Sequence, residues 1–263
     1  MSPLVVIVAF ALVIATAYLT VWLVRKRLSE PLGTGQAIAY IATAFAFILG
    51  LTLSTASGHF SDARSTAQSE ASATTAMLGT AVGLPSAQRQ RVQDDIVCVM
   101  QSTITDEWPL MQNNNDRGSA RTNSLIQALY NDIAALPSSD RQASGLTSAM
   151  SARAQLRDQR LLNGAPRVPP PIWVILLVLG FCVVLFIGLR DEYPSRRLWI
   201  ALSVLLSITI LTTTAVLAML DNPYRDGFPQ VPGLTIGPSA MQRSLDMVAT
   251  YAVSTGRTVP CHA

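Results

Sequence analysis

The amino-acid sequence predicts an all-α membrane protein, with four transmembrane helices in two pairs and a helical extramembrane domain inserted between the pairs. Four long apolar runs contain no Asp, Glu, Lys, Arg or His: Leu4–Val24, Ala37–Leu53, Ile172–Leu189 and Leu198–Leu220. A helix needs roughly 20 such residues to cross the hydrocarbon core of a bilayer. The chain is also 50% hydrophobic and only 13% charged, which is typical of a membrane-embedded protein.

The first two runs predict that residues 1–54 form spans one and two. Leu4–Val24 is too long for a signal-peptide core, and Arg25-Lys26-Arg27 follows it in place of a small-residue cleavage site, so we expect a retained span. Ala37–Leu53 is the shortest run. Its helix is expected to continue past the membrane to about Ala81, where Gly83-Leu84-Pro85 stops it.

Residues 55–170 predict a helical extramembrane domain, because their apolar residues recur at steps of three and four. After the extension of span two, one helix begins at Ser86 and ends near Glu107-Trp108-Pro109. A second helix carries apolar residues from Leu125 to Leu136, and a third ends near Leu162. No segment alternates with the period of a strand.

Residues 171–221 predict spans three and four, and residues 222–263 form a C-terminal tail. We expect the tail to fold back on the inserted domain through an amphipathic helix after Pro238-Ser239. Asp221, at the end of span four, has two interpretations. Its carboxylate lies at a pore mouth or a helix junction, or it caps its own turn ahead of Asn222-Pro223.

The charges of the two short loops between paired spans predict the sidedness of the protein. Each loop contains more basic than acidic residues, and short loops rich in Arg and Lys stay in the cytoplasm. The inserted domain and the tail are then extracytoplasmic. The charged loop residues are Arg25, Lys26, Arg27 and Glu30 in the first loop, and Arg190, Asp191, Glu192, Arg196 and Arg197 in the second.

Several kinds of chemistry have no support in the sequence. His59 and His262 form no metal-ligand spacing, so no metal site is predicted. There is no phosphate-binding glycine loop and no nucleophile or metalloprotease motif, so we predict neither catalytic residues, nor a cofactor, nor an enzyme. The formal net charge of +3 is small and dispersed, which gives no reason to expect nucleic-acid binding.

Arg153, Arg157 and Arg160 lie on one face of a predicted helix and are the main charged feature of the inserted domain. One interpretation is a stripe that attracts anions or contacts lipid headgroups. The other is a solvated stripe paired with acids such as Asp106, Glu107 or Asp158.

Two of the three cysteines, Cys98 and Cys261, fall in segments expected outside the cytoplasm, where disulfides persist. A Cys98–Cys261 bridge would join the tail to the domain. Two unpaired thiols are the alternative, because sequence does not reveal the distance between them. Cys182 lies within span three and is interpreted as a packing residue.

Short segments in order along most of the chain carry a family resemblance. They are Phe47–Leu53, Gly58-His59-Phe60, Ser69-Glu70-Ala71, Asp106–Pro109, Ala152-Arg153, Arg160-Leu161, Pro169–Trp173 and Leu220–Gly227. Together they resemble the bestrophin-like membrane family of bacteria, whose function is unknown. Residues 47–60 also resemble the neck helix of bestrophin anion channels.

The resemblance implies a protein of the bacterial inner membrane that assembles as a homo-pentamer, with one second-span helix per subunit around a central pore. Thr43, Phe47 and Leu51 match the three neck positions, so Phe47 and Leu51 would form a hydrophobic neck and Thr43 would add a hydroxyl layer. The alternative is that this face packs against spans one, three and four, with Thr43 bonding to its own helix. The bestrophin arrangement also implies a cytoplasmic inserted domain, opposite to the sidedness that the loop charges predict.

The function expected from the sequence is a bestrophin-like membrane protein that conducts small anions passively. No charged residue lies within the spans, which argues against coupled transport but is compatible with a dry constriction that gates by dewetting. The alternative is a non-conducting accessory or scaffold subunit whose spans dock in a larger membrane complex. The lipid bilayer is the expected surrounding in both cases.

Overall fold

The structure is a computed structural model that describes residues 3–26, 35–113, 117–137, 141–189, 196–225, 235–254 and Cys261. All regular elements within these residues are helical, which confirms the predicted all-α class. In chain order they are α1 (Pro3–Arg25), α2 (Gly35–Ala81), α3 (Ser86–Ser102), a π-helical turn (Thr103–Glu107), α4 (Trp108–Gln112), α5 (Ala120–Ala134), α6 (Arg141–Leu162), α7 (Pro170–Leu189), α8 (Arg196–Leu220) and α9 (Ser239–Ser254).

Helices α1, α2, α7 and α8 are long and apolar enough to cross a membrane, which confirms the four predicted spans. Helix α2 contains 47 residues. At a rise of 1.5 Å per residue it is about 70 Å long, more than twice the hydrocarbon thickness of a bilayer. It therefore continues well beyond its apolar part, and it ends at Ala81 before the Gly83-Leu84-Pro85 segment.

The described chain divides into two compact units. The first unit includes residues 3–60 and 166–222 and contains the apolar helical segments. Its core forms where α1 and α7 approach closely. A Cβ atom at Gly188 would lie 2.5 Å from a methyl carbon of Val21, so the approach of these two helices requires a residue without a side chain at that position.

The second unit includes residues 61–165, 223–225, 235–254 and Cys261, within the described residues. It is a helical assembly around its own apolar core. The large, fully buried apolar side chains of this core include Met77, Ile96, Met100, Leu129 and Leu146. These residues come from α2, α3, α5 and α6, so the core joins the helices predicted for the inserted domain.

The chain around Pro109 differs from the sequence prediction. A helix end was expected near Glu107-Trp108-Pro109, but the chain stays helical to Gln112 through the π-helical turn. Proline has no N–H and crowds the preceding turn, so it interrupts an α-helix. The wider π-helical turn, in which the Trp108 N–H donates to the Thr103 carbonyl, is how this chain continues through the proline.

Candidate functional sites

The first candidate site is an uncovered face of α2 in the first unit. Tyr40, Phe47 and Leu51 are 78%, 66% and 55% exposed, and Thr43 is exposed between them. Their spacing of three and four residues puts all four side chains on one side of the helix. The next positions on this side, Ser54 and Gly58, are also exposed.

The opposite side of α2 packs into the core of the first unit through Phe45, Leu49 and Ala56. The sequence alternative, in which Phe47 and Leu51 pack against the other spans of the same chain, therefore does not describe this structure. The Thr43 hydroxyl donates to the Ala39 carbonyl at 2.7 Å, as that alternative expected. A pore-lining role for Thr43, Phe47 and Leu51 stays a prediction.

Tyr40 also belongs to this face, although it was not among the residues predicted from the sequence. Tyr40 lies three residues before Thr43 and is the most exposed large side chain of the described apolar helices. The helical spacing that selected the other three residues would have found it. A tyrosine ring gives this end of the face an apolar body with a polar hydroxyl.

The second candidate site is a cluster of buried charges within the second unit. Arg153 and Arg160 on α6, Glu70 on α2 and Glu107 at the π-helical turn are each exposed by 1% or less. Arg160 bridges the two carboxylates, donating through Nε to Glu70 and through Nη2 to Glu107. Arg157 lies at the edge of the cluster and donates through Nε to Glu107 at 3.0 Å.

Arg153 completes this cluster with weaker contacts. Its Nη2 lies 3.5 Å from Glu70 Oε1, and its Nε donates to the Thr74 hydroxyl at 3.3 Å. The Thr74 hydroxyl donates its own hydrogen to the Glu70 carbonyl at 2.8 Å, which leaves its oxygen available as an acceptor. Three guanidinium groups thus share two carboxylates, so the cluster carries one excess positive charge.

The pKa values in the cluster follow from burial and pairing. Burial alone would raise the pKa of Glu107, but the charges of Arg160 and Arg157 and their hydrogen bonds outweigh burial, so this pKa is lowered. Burial lowers the pKa of Arg153, which Glu70 offsets only in part. The pKa of Arg160 is raised, because Glu70 and Glu107 outweigh its burial.

Aromatic and sulfur-containing side chains enclose the cluster. The centre of the Trp108 ring lies 5.0 Å from Cζ of Arg160 and 5.6 Å from the centre of the Tyr224 ring, which it meets edge to face. The Met111 sulfur accepts a hydrogen bond from Arg160 at 2.6 Å. The Tyr224 hydroxyl donates to the Ala63 carbonyl at 3.0 Å, which fixes its ring against α2. Trp108 and Met111 thus cover the buried guanidinium group of Arg160.

The three arginines of the predicted stripe are therefore together: Arg153 and Arg160 are buried with two glutamates, and Arg157 lies at the edge of this cluster. Glu107 was among the partners that the sequence analysis considered, whereas Glu70 was not. The signal for Glu70 is its place in a buried stripe of α2, which consists of Ala63, Ala67, Glu70, Thr74, Met77 and Ala81. An anion-attracting role for Arg153, Arg157 and Arg160 stays a prediction.

Cys98 and Cys261 form a disulfide in the structure, with their Cα atoms 5.2 Å apart. This separation falls within the usual range for bridged cysteines. Cys98 lies on α3, and Cys261 lies 163 positions later in the chain. The bond therefore attaches the C-terminal tail to the second unit.

Asp221 lies at the end of α8 in the first unit and joins two segments. Its Oδ1 accepts hydrogen bonds from the backbone N–H groups of Arg167 and Val168, both at 2.8 Å. These residues precede α7, so the carboxylate holds the entry of one span against the exit of the next. This geometry corresponds to the helix-junction interpretation. Among the described residues, no group of three His, Cys, Asp or Glu side chains could hold a metal ion.

Comparisons with known proteins give consistent matches. A family model for the bestrophin-like domain matches residues 5–231. Two crystal structures of a bacterial bestrophin homologue from Klebsiella pneumoniae, one of a mutant and one solved by zinc phasing, each superpose with a TM-score of 0.69. Identity is 17% and 18%, with 98% and 97% of this chain and 100% and 99% of the other covered. No curated protein sequence matches the chain.

Proposed function

Because the chain belongs to the bestrophin-like family, we propose that it forms a ring of identical subunits, five in number by family resemblance, around a pore that conducts small anions passively. The uncovered face of α2 carries this proposal. Phe47 and Leu51 form the narrow apolar part of the pore, and Thr43 adds a hydroxyl layer beside them. The protein is not an enzyme in this proposal.

The composition of the α2 face supports contact with water more than contact with lipid. The exposed apolar residues of α7, such as Val174, Ile175 and Val178, have only apolar residues among them, as a lipid-facing surface requires. On α2, the exposed Phe47 and Leu51 alternate with Thr43, Gly50 and Ser54. Hydroxyl groups and glycine at membrane depth are expected where a helix faces a pore or another helix.

The apolar part of the pore supplies a gate in this proposal. A ring of Phe47 and a ring of Leu51 one helical turn apart form two dry layers, and a hydrophobic constriction can block ions by excluding water. The formal charge of +3 per chain favours anions near the assembled ring. The excess positive charge among Arg153, Arg157 and Arg160 acts in the same direction.

Planar-bilayer recordings with purified protein test the proposal. The wild-type protein should give an anion-selective current, and Phe47→Ala should increase the conductance, because the smaller side chain widens one apolar layer of the pore. Val174→Ala is the matched control, since Val174 is 58% exposed on α7 and should leave the current unchanged. An intact ring with no current would contradict conduction. A monomer that copurifies with other membrane subunits would instead favour the scaffold function.

We also propose that the protein lies in the bacterial inner membrane with its second unit on the extracytoplasmic side. The basic loops support this orientation. The Cys98–Cys261 disulfide supports it independently, because such bonds persist in oxidising compartments. An impermeant maleimide applied to intact cells should label Ser148→Cys, which is exposed on α6, and should not label Lys26→Cys. The reverse labelling pattern would place the second unit in the cytoplasm.

A further inference from the structure

Tyr40 lies at the beginning of the uncovered face of α2. The helix begins at Gly35, so Tyr40 is in its second turn, and 78% of this residue is exposed. Seven residues separate Tyr40 from Phe47. The two side chains therefore point within about 20° of each other around the helix axis and lie about 10 Å apart along it. An ion that moves along this face from the beginning of α2 meets Tyr40 before the apolar residues Phe47 and Leu51.

The two hydroxyl groups that precede Phe47 on this face differ in what their hydrogens do. The Thr43 hydroxyl donates to the Ala39 carbonyl at 2.7 Å, so its hydrogen is used within the helix and only its oxygen lone pairs are left for other partners. No hydrogen bond joins the Tyr40 hydroxyl to another described residue. Of these two groups, the Tyr40 hydroxyl is therefore the one that can donate to an anion.

The sequence at this end of α2 is basic. Arg25, Lys26 and Arg27 lie between the first two apolar runs, where Glu30 is the only acid. Lys26 is exposed at the end of α1. Basic groups near the mouth of a pore raise the local concentration of anions. The charge at this end of α2 therefore favours the same class of ion as a hydroxyl donor at Tyr40.

We propose that the Tyr40 hydroxyls donate hydrogen bonds to permeating anions before the apolar layers of Phe47 and Leu51, and that they favour chloride over the larger iodide. This inference rests on the anion pore proposed above. An anion loses water as it enters a constriction that excludes water, and a hydroxyl donor replaces part of that hydration. Hydrogen bonds to a charged partner are about twice as strong as neutral ones. Chloride gains more from such a bond, because its charge comes closer to the donor.

Reversal potentials measured with chloride on one side of a planar bilayer and iodide on the other test this role. Tyr40→Phe keeps the ring and removes the hydroxyl of a side chain that is exposed, so the fold is retained. The iodide-to-chloride permeability ratio should rise by about threefold, which corresponds to about 0.7 kcal/mol. Tyr130→Phe is the matched control, since Tyr130 is 53% exposed on α5 in the second unit and should leave the ratio unchanged.

A cysteine variant distinguishes a tyrosine that faces the pore from one that faces lipid. In a Cys182→Ser background, Tyr40→Cys should lose chloride current after treatment with an anionic thiosulfonate reagent, because the attached sulfonate repels anions. A cationic thiosulfonate should leave a larger current. Val178→Cys, at a position that is 55% exposed on α7, should respond to neither reagent. The same insensitivity of Tyr40→Cys would place Tyr40 outside the ion path and overturn this inference.

The failure of this inference is distinguishable from the failure of the pore. A wild-type protein that conducts anions, with an unchanged permeability ratio in Tyr40→Phe, would overturn the role of Tyr40 and leave the pore in place. The absence of any current from the wild-type protein would contradict the proposed function, and the role of Tyr40 with it.

Discussion

At the residue scale, Arg160 is the side chain on which the buried cluster depends. It is fully buried and donates to both Glu70 and Glu107, so each carboxylate loses a charged partner if Arg160 is removed. A buried ion pair gains little over a well-packed apolar pair, because desolvation of the charges is costly. Breaking one side of such a pair is different, since the remaining charges stay buried without compensation.

Arg160→Met should therefore lower the free energy of unfolding by about 3–5 kcal/mol. Arg121→Met is the matched control. Arg121 lies 3.5 Å from Asp106, but its side chain is 45% exposed, and solvent-exposed pairs contribute about 0–1 kcal/mol. Thermal unfolding in detergent, followed by circular dichroism, measures both variants. Equal shifts in the midpoint would show that Arg160 is not a central partner of the glutamates.

Gly118 is the second residue with a clear requirement. Its φ of +71° is strained for residues with a side chain. A Cβ atom there would also lie 2.6 Å from Arg157 Nη2 and 2.7 Å from Glu107 Oε1. Gly118→Ala should therefore destabilise the protein by roughly 2 kcal/mol, from backbone strain and displacement of an ion pair.

Gly79→Ala is the control for the glycine substitution, because Gly79 is in α2 and a Cβ there meets nothing within 4 Å. Alanine favours helix more than glycine, so this change should stabilise the protein by up to about 1 kcal/mol. The two substitutions should move the unfolding midpoint in opposite directions. A stabilising effect of Gly118→Ala would show that the loop adopts another conformation in solution.

The burial and pairing of the three arginines could not be predicted from the sequence. Spacing correctly grouped Arg153, Arg157 and Arg160 on one face of a helix. It did not predict their burial, because charged residues are usually exposed and become buried only when paired. The pairing depends on Glu70, which is 90 positions from Arg160 in the chain. Its signal is a lone acid in a buried stripe of otherwise uncharged residues, and this stripe can be recognised only when the packing of the helices is known.

At the element scale, α3 and α5 pack side by side in the second unit. Asp95 of α3 and Asp132 of α5 meet at this contact. Burial raises the pKa of Asp95 on α3 to about 7, with further contributions from its hydrogen bond to Asp132 on α5 and from the charges of Asp132 and Asp94. Every group acting on Asp95 here is an acid. Burial and these neighbouring acids therefore favour the protonated form of Asp95 at the contact between the two helices.

This proton makes the stability of the protein depend on pH. The ordinary pKa of Asp95 is 3.8, so the folded protein holds a proton that the unfolded chain has lost between pH 3.8 and about 7. The contribution is fully present below pH 3.8 and disappears as pH rises to about 7. The midpoint of thermal unfolding should therefore fall between pH 5 and pH 8, and Asp95→Asn should reduce that fall. An equal fall in Asp95→Asn would exclude Asp95 as the cause.

The π-helical turn is the element that sequence analysis could not predict. Trp108-Pro109 correctly marked an interruption, but a proline is compatible with a helix end, a kink or a wider turn. The packing decides among these outcomes. Here the wider turn directs Glu107 toward Arg160 and places Trp108 over the same guanidinium, so the interior contacts stabilise the less common geometry.

At the scale of the whole molecule, the four spans were predictable because a span depends only on the composition and length of its segment. Both can be read directly from each apolar run in the sequence. The face of α2 was only half predictable. Helical spacing showed that Thr43, Phe47 and Leu51 share one side, but only the packed structure shows that Phe45 and Leu49 bury the other side. In the proposed ring, the exposed side of α2 faces the axis that the subunits share.

Cysteine cross-linking in native membranes tests whether α2 lies near the axis of such a ring. In a symmetric ring around α2, the same position of neighbouring chains lies near one axis, whereas lipid-facing positions of neighbouring chains lie far apart. In a Cys182→Ser background, Ser54→Cys should therefore form covalent dimers with a short bifunctional maleimide, and Val174→Cys on α7 should not. One added cysteine per chain forms one link, so the dimer should be the largest product whatever the subunit number. Efficient cross-linking at position 174, with none at position 54, would place α7 and not α2 between subunits.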